Sequence, residues 1–205
     1  GSIASGESVM QNIPVEGDPV LYEPKVKNEM GKSGSFEFKM VSTSPFYDSL
    51  LQMRTIMRVT YYGTTIFRGR VLTIDKGFDR VRSVHCEGDF SFFLDTLQAG
   101  RDDDSRPKLD LKDYIKYVID QHNSDVGKNS KKRFTIGEMP SYYKNATSGQ
   151  RLNIPDEKRL QQFGSTSWGT TMDRIEDLVS EFGGYFRTRY DDKTGTTYLD
   201  WLDNY

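Results

Sequence analysis

The stretch at residues 59–88, VTYYGTTIFRGRVLTIDKGFDRVRSVHCEG, alternates apolar and polar side chains in successive short runs. A period of two that is rich in β-branched and aromatic residues is typical of β-strands. Turn-forming residues interrupt the alternation at Gly63-Thr64 and again at residues 76–79. The stretch therefore predicts three consecutive antiparallel strands, joined by tight turns into a meander that curls.

Gly69 lies inside the long middle strand, where a glycine predicts a bulge or a bend. Strict alternation places Phe67 and Val71 on the core side of this strand. Arg68 and Arg70 share the opposite face and are candidate interface residues. They would either grip an acidic partner, line a water-filled lumen, or lie at the surface with their aliphatic stems against apolar neighbours.

The segments before the meander extend the predicted sheet. Residues 1–19 are rich in Gly, Ser and Glu and lack periodicity, which predicts a flexible lead-in. Residues 20–26 resemble a strand, and residues 35–40 alternate cleanly between apolar and polar side chains. Together with the meander, these strands predict an antiparallel β-barrel domain at residues 20–100.

Two short helices are expected within this first domain. Ser44-Pro45 combines an N-cap residue with a proline at the first helical position, which predicts a helix start. A helical spacing of apolar residues also follows the meander, and we expect it to plug the open end of the barrel; its members are Phe90, Phe93, Leu94 and Leu97.

A charged segment that ends in proline, at residues 100–107, predicts a domain boundary. Beyond it, apolar residues recur at helical spacing from Leu111 to His122. A second helix is expected from Trp168 to Phe182, with a capping box formed by Thr170 and Asp173. The second domain, at residues 101–205, is therefore predicted to be a smaller α+β domain with two helices.

The strands of this second domain are short. Phe134 and Ile136 predict one strand, and YFRTRY and TTYLDWL predict a closing hairpin that turns at residues 191–195. Residues 139–166 have little periodicity, and loops of this length commonly contact a partner or are disordered. Tyr142 and Tyr143 in this loop are the other candidate interface residues. The fold class expected for the whole chain is β-rich α+β.

Several motifs resemble the N-terminal hub region of phage tail-tip proteins, the tail-associated lysin or prophage endopeptidase tail family. That family is in turn similar to the baseplate hub of contractile phages. The matching stretches extend over nearly the whole chain, and they are IFRGRV (66–71), VHCEGDFSFFLD (84–95), HN (122–123), RFTIG (133–137), SEFGGYFRTRY (180–190) and TYLDWLDNY (197–205).

This resemblance implies a structural role in a virion, at the tail tip or baseplate, after assembly in the cytoplasm of the host bacterium. The hub would form a ring with copies of itself, a trimer in the full particle. Its other implied partners are the distal tail protein, the end of the tail tube or tape measure, and a downstream spike, fibre or lysin module. Family members continue beyond such a hairpin, so we expect the chain to be incomplete relative to its parent.

Composition narrows the function classes further. A net charge of −2 and a pI near 5.8 give no electrostatic reason to expect nucleic acid binding. No apolar run approaches the roughly 18 residues of a membrane span. The single cysteine, Cys86, excludes an internal disulfide framework and fits folding in a reducing cytoplasm. Gly1-Ser2 resembles an expression scar.

No catalytic, cofactor-binding or metal-binding residues are predicted. On a strand, His85 and Glu87 share one face and Cys86 takes the other, so they cannot ligate one ion together. A Cys86–His122 nucleophilic pair lacks an orienting third group. The acids at residues 102–104 lack the spacing of a calcium loop, and those of the second helix, Glu176, Asp177 and Glu181, are expected on its solvated face.

Two alternatives to a structural hub stay open at this point. The family name mentions an endopeptidase, so the chain could hydrolyse peptidoglycan, although we expect any lytic activity of the parent to lie outside it. The chain could also be a module that binds host glycans through surface aromatic residues. We disfavour glycan binding because Trp168 and Trp201 are both expected on apolar stripes.

Overall fold

The structure is a computed structural model of the chain with a β-rich α+β fold that includes three helices among its described residues. It describes residues 7–11, 21–77, 79–100, 108–128, 130–140, 142–144, 151–153, 161–162 and 165–203. The chain divides into two compact units. The first takes its described residues from Gly1–Glu29, Ser33–Phe90 and Asp192–Gly195, and the second from Met30–Lys32, Ser91–Asp191 and Thr196–Tyr205.

The first unit is built on a five-stranded antiparallel sheet. Its strands are β1 (Tyr22–Lys27), β2 (Ser35–Val41), β3 (Ile56–Tyr61), β4 (Thr64–Lys76) and β5 (Val81–Gly88). The order across the sheet is β1-β2-β5-β4-β3, which confirms the predicted meander. β1 and β3 are the two edges, so the described strands form a curled half-barrel.

Alternating side chains of these strands form the core of the first unit. In β2, Phe36, Phe38 and Met40 are buried and the positions that alternate with them are half-buried, which confirms the predicted alternation. Phe67 and Val71 of β4 are also buried, which confirms their predicted face. The buried cluster contains Phe36, Phe38, Met40, Leu50, Phe67, Val71, Val84 and Cys86. Burial of this apolar area is the main force that holds the sheet in its register.

The sequence predicts a bulge or a bend at Gly69, and the bulge is wrong. Gly69 pairs in regular register with Met57 on one side and Gly88 on the other. The register shifts instead lie where β4 passes Ile66 opposite β3, and Leu72 opposite β5. Gly69 is required for another reason, since an added Cβ atom would lie 1.9 Å from the backbone oxygen of Glu87.

The predicted helix at Ser44-Pro45 is a series of turns. The amide of Tyr47 donates to the carbonyl of Ser44, and the amide of Ser49 donates to that of Phe46. A second helical prediction holds in part, because Asp89–Asp95 is a 3₁₀ helix that buries Phe90 and Phe93. Leu94 and Leu97 are exposed, so the apolar stripe predicted at residues 90–97 ends early.

The second unit contains two α-helices, α1 (Leu111–Val126) and α2 (Thr171–Phe182). Asp110 caps α1 by accepting a bond from the amide of Asp113. α2 begins with the predicted capping box of Thr170 and Asp173, and it ends at Gly183. Trp168 lies outside α2 and is exposed, contrary to its predicted place on the apolar stripe.

Short strands complete the second unit. β6 (Leu97–Gln98) pairs with β12 (Gly169–Thr170), β7 (Lys108–Leu109) with β11 (Gln161–Gln162), and β9 (Tyr142–Lys144) with β10 (Arg151–Asn153). The predicted hairpin consists of β13 (Tyr185–Asp191) and β14 (Thr196–Leu202). β8 (Thr135–Ile136) joins β14 in parallel, close to the strand predicted around Phe134.

Some predictions fall where the structure gives no description. Residues 101–107, most of the predicted linker, lie outside the described residues, as do 1–6 and 12–20 of the lead-in. The domain bounds of 20–100 and 101–205 stay predictions. None of the helices in the described part of the chain has the length and apolar content needed to cross a membrane.

Candidate interaction surfaces

Arg68 and Arg70 lie side by side on one face of β4 and are paired with acids of the same unit. An Nη of Arg68 lies 2.7 Å from Oδ2 of Asp89, and Nε of Arg70 lies 2.5 Å from Oε1 of Glu87. The Arg70 side chain is only 3% exposed, and Arg70 is the direct cross-strand partner of Glu87. Any partner that uses these arginines would have to compete with acids already in place; their interface role stays a prediction.

Asp89, at the start of the 3₁₀ helix, is the most buried acid of this group. Burial raises the pKa of Asp89 even though the guanidinium of Arg68 opposes that shift. Its Oδ1 atom finds no hydrogen-bond donor among the described residues. Burying a carboxylate with one unsatisfied oxygen is costly, and the guanidinium of Arg68 offsets part of that cost.

Tyr142 and Tyr143 form part of β9, paired with Asn153 and Leu152 of β10. The sequence placed them in a long loop, whereas their backbone belongs to a short two-stranded ladder. Their side chains lie outside the described part of the structure, so their proposed contact with a partner stays a prediction.

Sequence reasoning missed an aromatic pair at the tip of the β3–β4 hairpin. Tyr61 and Tyr62 pack edge to face with ring centroids 4.5 Å apart, and Tyr62 is 90% exposed. Tyr62 and Gly63 both have positive φ, which is the geometry of a two-residue type I′ turn. A non-glycine residue in this conformation costs about 1–2 kcal/mol, and an exposed side chain recovers little of it in the folded chain.

This aromatic tip stands at the end of an edge strand. β3 pairs with β4 on one side only among the described strands. Ile66, which lies at the register shift of β4, is also exposed near the same tip. An edge strand with exposed aromatic and aliphatic side chains is a template for pairing with another chain. The edge and the tip together form the hairpin surface: β3, Tyr61, Tyr62 and Ile66.

The groups that first suggested catalysis have structural environments. Cys86 is buried in the core of the first unit, and burial raises the pKa of its thiol to about 12. A thiol with this pKa stays protonated at neutral pH and is a poor nucleophile. His122, in the second unit, uses both ring nitrogens, one with the hydroxyl of Thr96 at 2.7 Å and one with the carbonyl of Lys132 at 2.9 Å.

The candidate metal and acid clusters also have defined places. His85 lies 3.4 Å from Glu37 on the polar face of the first sheet. Glu176, Asp177 and Glu181 are exposed on α2, on the solvated face where the sequence places them. Within the described ranges, no three His, Cys, Asp or Glu side chains come together to hold a metal ion. The acids at 102–104 lie outside those ranges.

Asp200 of β14 is a buried ionic centre with no sequence signal. Burial alone would raise its pKa, but bonds from Arg189, the amide of Glu138 and Arg187 outweigh burial and lower it. Both Nε and Nη2 of Arg189 lie within about 3.1 Å of the carboxylate. The backbone of Gly137 packs directly against this carboxylate, since an added Cβ atom on Gly137 would lie 2.0 Å from Oδ1 of Asp200. This centre stabilises the three-stranded sheet of the second unit.

Three large apolar side chains of the second unit are exposed, those of Leu94, Leu97 and Trp168. Leu97 also lines a groove of about 580 Å³, together with Asp95, Thr96, Asp125, Val126, Ser130 and Lys132. We call these three residues with the groove the tryptophan surface. The sequence does contain a signal for this surface: Trp168 precedes the N-cap residue Thr170, so it lies before the helix and not on its apolar stripe.

The chain matches no model of a known protein family, and a search of curated proteins finds no significant match either. A functional interpretation therefore depends on the motifs and on the geometry described above.

Proposed function

We propose that the chain is a structural hub component of a phage tail tip or baseplate, or of a phage-tail-like particle. The observation that carries this proposal is the curled half-barrel with the exposed hairpin surface at its β3 edge. A neighbouring chain can extend an exposed sheet edge by strand pairing, and aromatic side chains beside that edge are enriched at protein interfaces. The motif resemblance and the predicted meander point to the same role.

Closure of the barrel belongs to this proposal. The described sheet has two open edges, β1 and β3. In the proposed ring, strands supplied by other copies or by further parts of the parent protein would complete the wall. The partners would be copies of the chain, the distal tail protein, the tube or tape-measure end, and a downstream fibre or lysin module. The particle would be assembled in the bacterial cytoplasm, and the chain would be a virion protein.

Immunogold electron microscopy tests the placement. Antibodies raised against this chain, applied to tailed particles from the bacterium that encodes it, should label the tail tip. Antibody absorbed beforehand with the purified chain is the control and should leave the tip bare. Gold on the capsid, or particles whose tips stay unlabelled although the denatured particles react on a blot, would contradict the proposal.

A complementation assay tests the hairpin surface itself. The double variant Tyr61→Ser/Tyr62→Ser should fold normally, because both side chains are exposed, yet it should reduce the yield of complete tails. Leu51→Ser is the control, since Leu51 is an exposed apolar residue of the same unit that lies outside the five strands and thus outside both sheet edges. Normal yield from the double variant would exclude the hairpin surface as an assembly contact.

Glycan binding is a second candidate function, and one observation favours it. The sequence argued against it by placing both tryptophans on apolar stripes, whereas Trp168 is 70% exposed and precedes the strand that pairs with Leu97, a residue of the groove wall. Trp201 alone is buried, stacked on Phe186. A tail-tip protein that holds a host sugar is chemically compatible with the hub role, so both functions could reside in one chain.

A further inference from the structure

The β6–β12 ladder places Trp168 and Leu97 on one face of the second unit. Leu97 pairs with Thr170 and Gln98 with Gly169. Continuing the register sets Trp168 opposite Ala99 and diagonal to Leu97, a separation that large side chains bridge. Gln98, which follows Leu97 in β6, points the other way and is buried.

The backbone that carries Trp168 is held from several sides. The buried guanidinium of Arg174 donates to the carbonyl of Ser167 at 2.6 Å. A Cβ on Gly100 would lie 2.2 Å from the carbonyl oxygen of Thr166, so the two segments run in close contact. The capping box at Thr170 fixes the following turn. Trp168 therefore presents its indole from a rigid segment, which is the arrangement of a preformed binding platform.

Five of the seven residues that line the groove have polar side chains, and the other two are Leu97 and Val126. Leu97 belongs to the groove and to the exposed face, so it joins the two. Asp125 and Ser130 lie in its wall, together with the ion pair of Asp95 and Lys132, whose N–O distance is 2.6 Å. Its volume of about 580 Å³ falls in the range of sites that hold small ligands, about 300–1,000 Å³.

We propose that the tryptophan surface binds an oligosaccharide of neutral or amino sugars. The C–H face of one pyranose ring would stack on the indole of Trp168, and Leu97 would cover its edge. Hydroxyl groups of the next sugar would enter the groove, donating to the carboxylate of Asp125 and exchanging hydrogen bonds with the hydroxyl of Ser130. The site develops the second candidate function and does not depend on the position of the chain in a virion.

Charge and polarity favour a sugar over the other classes of ligand. Two carboxylates and one ammonium group line the groove, so the excess charge is negative and disfavours phosphate-containing or acidic polysaccharides. The centre of a protein interface is usually depleted in charged groups, because they would be buried without water. Sugar hydroxyls can replace that water and satisfy the same groups, which an apolar protein surface cannot do.

Titration with the trimer of N-acetylglucosamine, alongside an array of neutral and amino-sugar glycans, tests the proposal. Trp168 and Trp201 are the only tryptophans, and Trp201 is 1% exposed. A ligand stacked on the platform should shift or quench the exposed component of the fluorescence, and calorimetry should give binding at millimolar sugar or below. A full array with no binder and an unchanged emission spectrum would overturn the proposal.

Variants distinguish this site from others. Trp168→Ala should weaken binding at least about fivefold by calorimetry, since an aromatic contact of about 1 kcal/mol is lost. Trp168→Phe should retain most of the affinity, and Asp125→Ala should reduce it. Tyr62→Ala, a matched loss of an exposed aromatic in the first unit, should leave affinity unchanged. If Trp168→Ala binds like the wild type, the proposed site is wrong, whatever the immunogold labelling shows about the hub.

Discussion

At the residue scale, Arg70 is a charged residue at a buried position, where charged side chains are rare unless they are paired. Its guanidinium lies against Glu87 and its side chain is almost fully buried. The same is true of Arg68 with Asp89. Alternation in the sequence shows that both arginines share a face, but the acids that neutralise them come from β5 and the 3₁₀ helix. Their pairing depends on strand register, which no local pattern contains.

Replacing Arg70 tests this burial. Arg70→Ala should lower the free energy of unfolding by about 2–4 kcal/mol, because Glu87 would lose its partner in a largely buried position. Phe67→Ala should cost about 3–5 kcal/mol through the cavity it leaves. Chemical denaturation measures both. Arg54→Ala removes an exposed arginine from the same unit and should change stability by less than about 0.5 kcal/mol; equal effects at Arg54 and Arg70 would refute the buried pair.

His122 is the residue whose protonation should control the second unit. The Lys132 carbonyl can only accept, so Nε2 of His122 donates to it and Nδ1 accepts from the Thr96 hydroxyl. Thr96 then accepts from Thr171, and Thr171 accepts from Nε2 of Gln98. A proton on Nδ1 would have to donate to the hydroxyl oxygen of Thr96, and one hydroxyl hydrogen of the Thr96–Thr171 pair would then have no acceptor within this network.

The pH dependence follows from this network. Burial lowers the pKa of His122 below 6.5, against weaker opposing effects from the Lys132 carbonyl, Asp95 and Asp125, while the charge of Lys132 adds to the lowering. The unfolded chain therefore binds the proton more readily. The contribution of neutral His122 to the free energy of unfolding is fully present above about pH 6.5. It is lost as the pH falls below that value, by up to about 1.4 kcal/mol per pH unit.

Urea unfolding at a series of pH values between about 7.5 and 5 measures this dependence around the ordinary histidine pKa. His85→Gln is the matched control, because His85 is the other histidine of the chain, and the slope should persist in that variant. His122→Gln should remove the slope in this window. A wild-type stability that does not change across it would show that His122 is not buried as described.

At the element scale, the contact between β4 and β5 depends on two glycines that face each other. Gly69 pairs with Gly88, and a Cβ on Gly88 would lie 1.6 Å from the backbone oxygen of Ser33. The strands approach each other and the neighbouring turn too closely for any side chain at these positions. Neither glycine belongs to a bulge, and the register shifts of β4 lie on either side of Gly69, at Ile66 and Leu72.

Gly69→Ala should lower the free energy of unfolding by at least about 3 kcal/mol or prevent folding, because the backbone oxygen of Glu87 cannot move away cheaply. Gly63→Ala is the matched control, since a Cβ there meets nothing within 4 Å and only the positive φ opposes it. That variant should cost about 1 kcal/mol. Thermal melting of both variants makes the comparison, and a mild effect at Gly69 would mean that the strands are farther apart.

At the scale of the whole molecule, the open edges of the sheet predict the behaviour of the isolated chain. The described sheet has five strands, and a closed ring requires every neighbouring surface to be supplied. We expect a monomer, or only weak association, in sedimentation velocity at tens of micromolar. Obligate rings bury large interfaces and persist at that concentration. A discrete trimer or hexamer would show that the chain carries a complete ring interface of its own.

The sequence by itself determined the elements whose signals are local. The meander, the alternation of β2, both α-helices, the capping box at Thr170 and the closing hairpin follow from side-chain periodicity and from residues that cap or turn the chain. These features arise within a few residues of one another, so hydrogen bonding and sterics along the chain are sufficient to specify them. The turns at Ser44 were misread because a capping residue also favours isolated turns.

Only the tertiary structure decided the features that join distant residues. Arg70 meets Glu87 across a strand pair, Asp200 gathers two arginines and the amide of Glu138, and His122 closes a polar network through Thr171. The exposure of Trp168 likewise depends on where α2 begins and on the strand beside it. Burial and ion pairing depend on which surfaces meet after folding. A periodic pattern predicts the face of the strand or helix on which a side chain lies, but it does not predict which distant residue packs against that side chain.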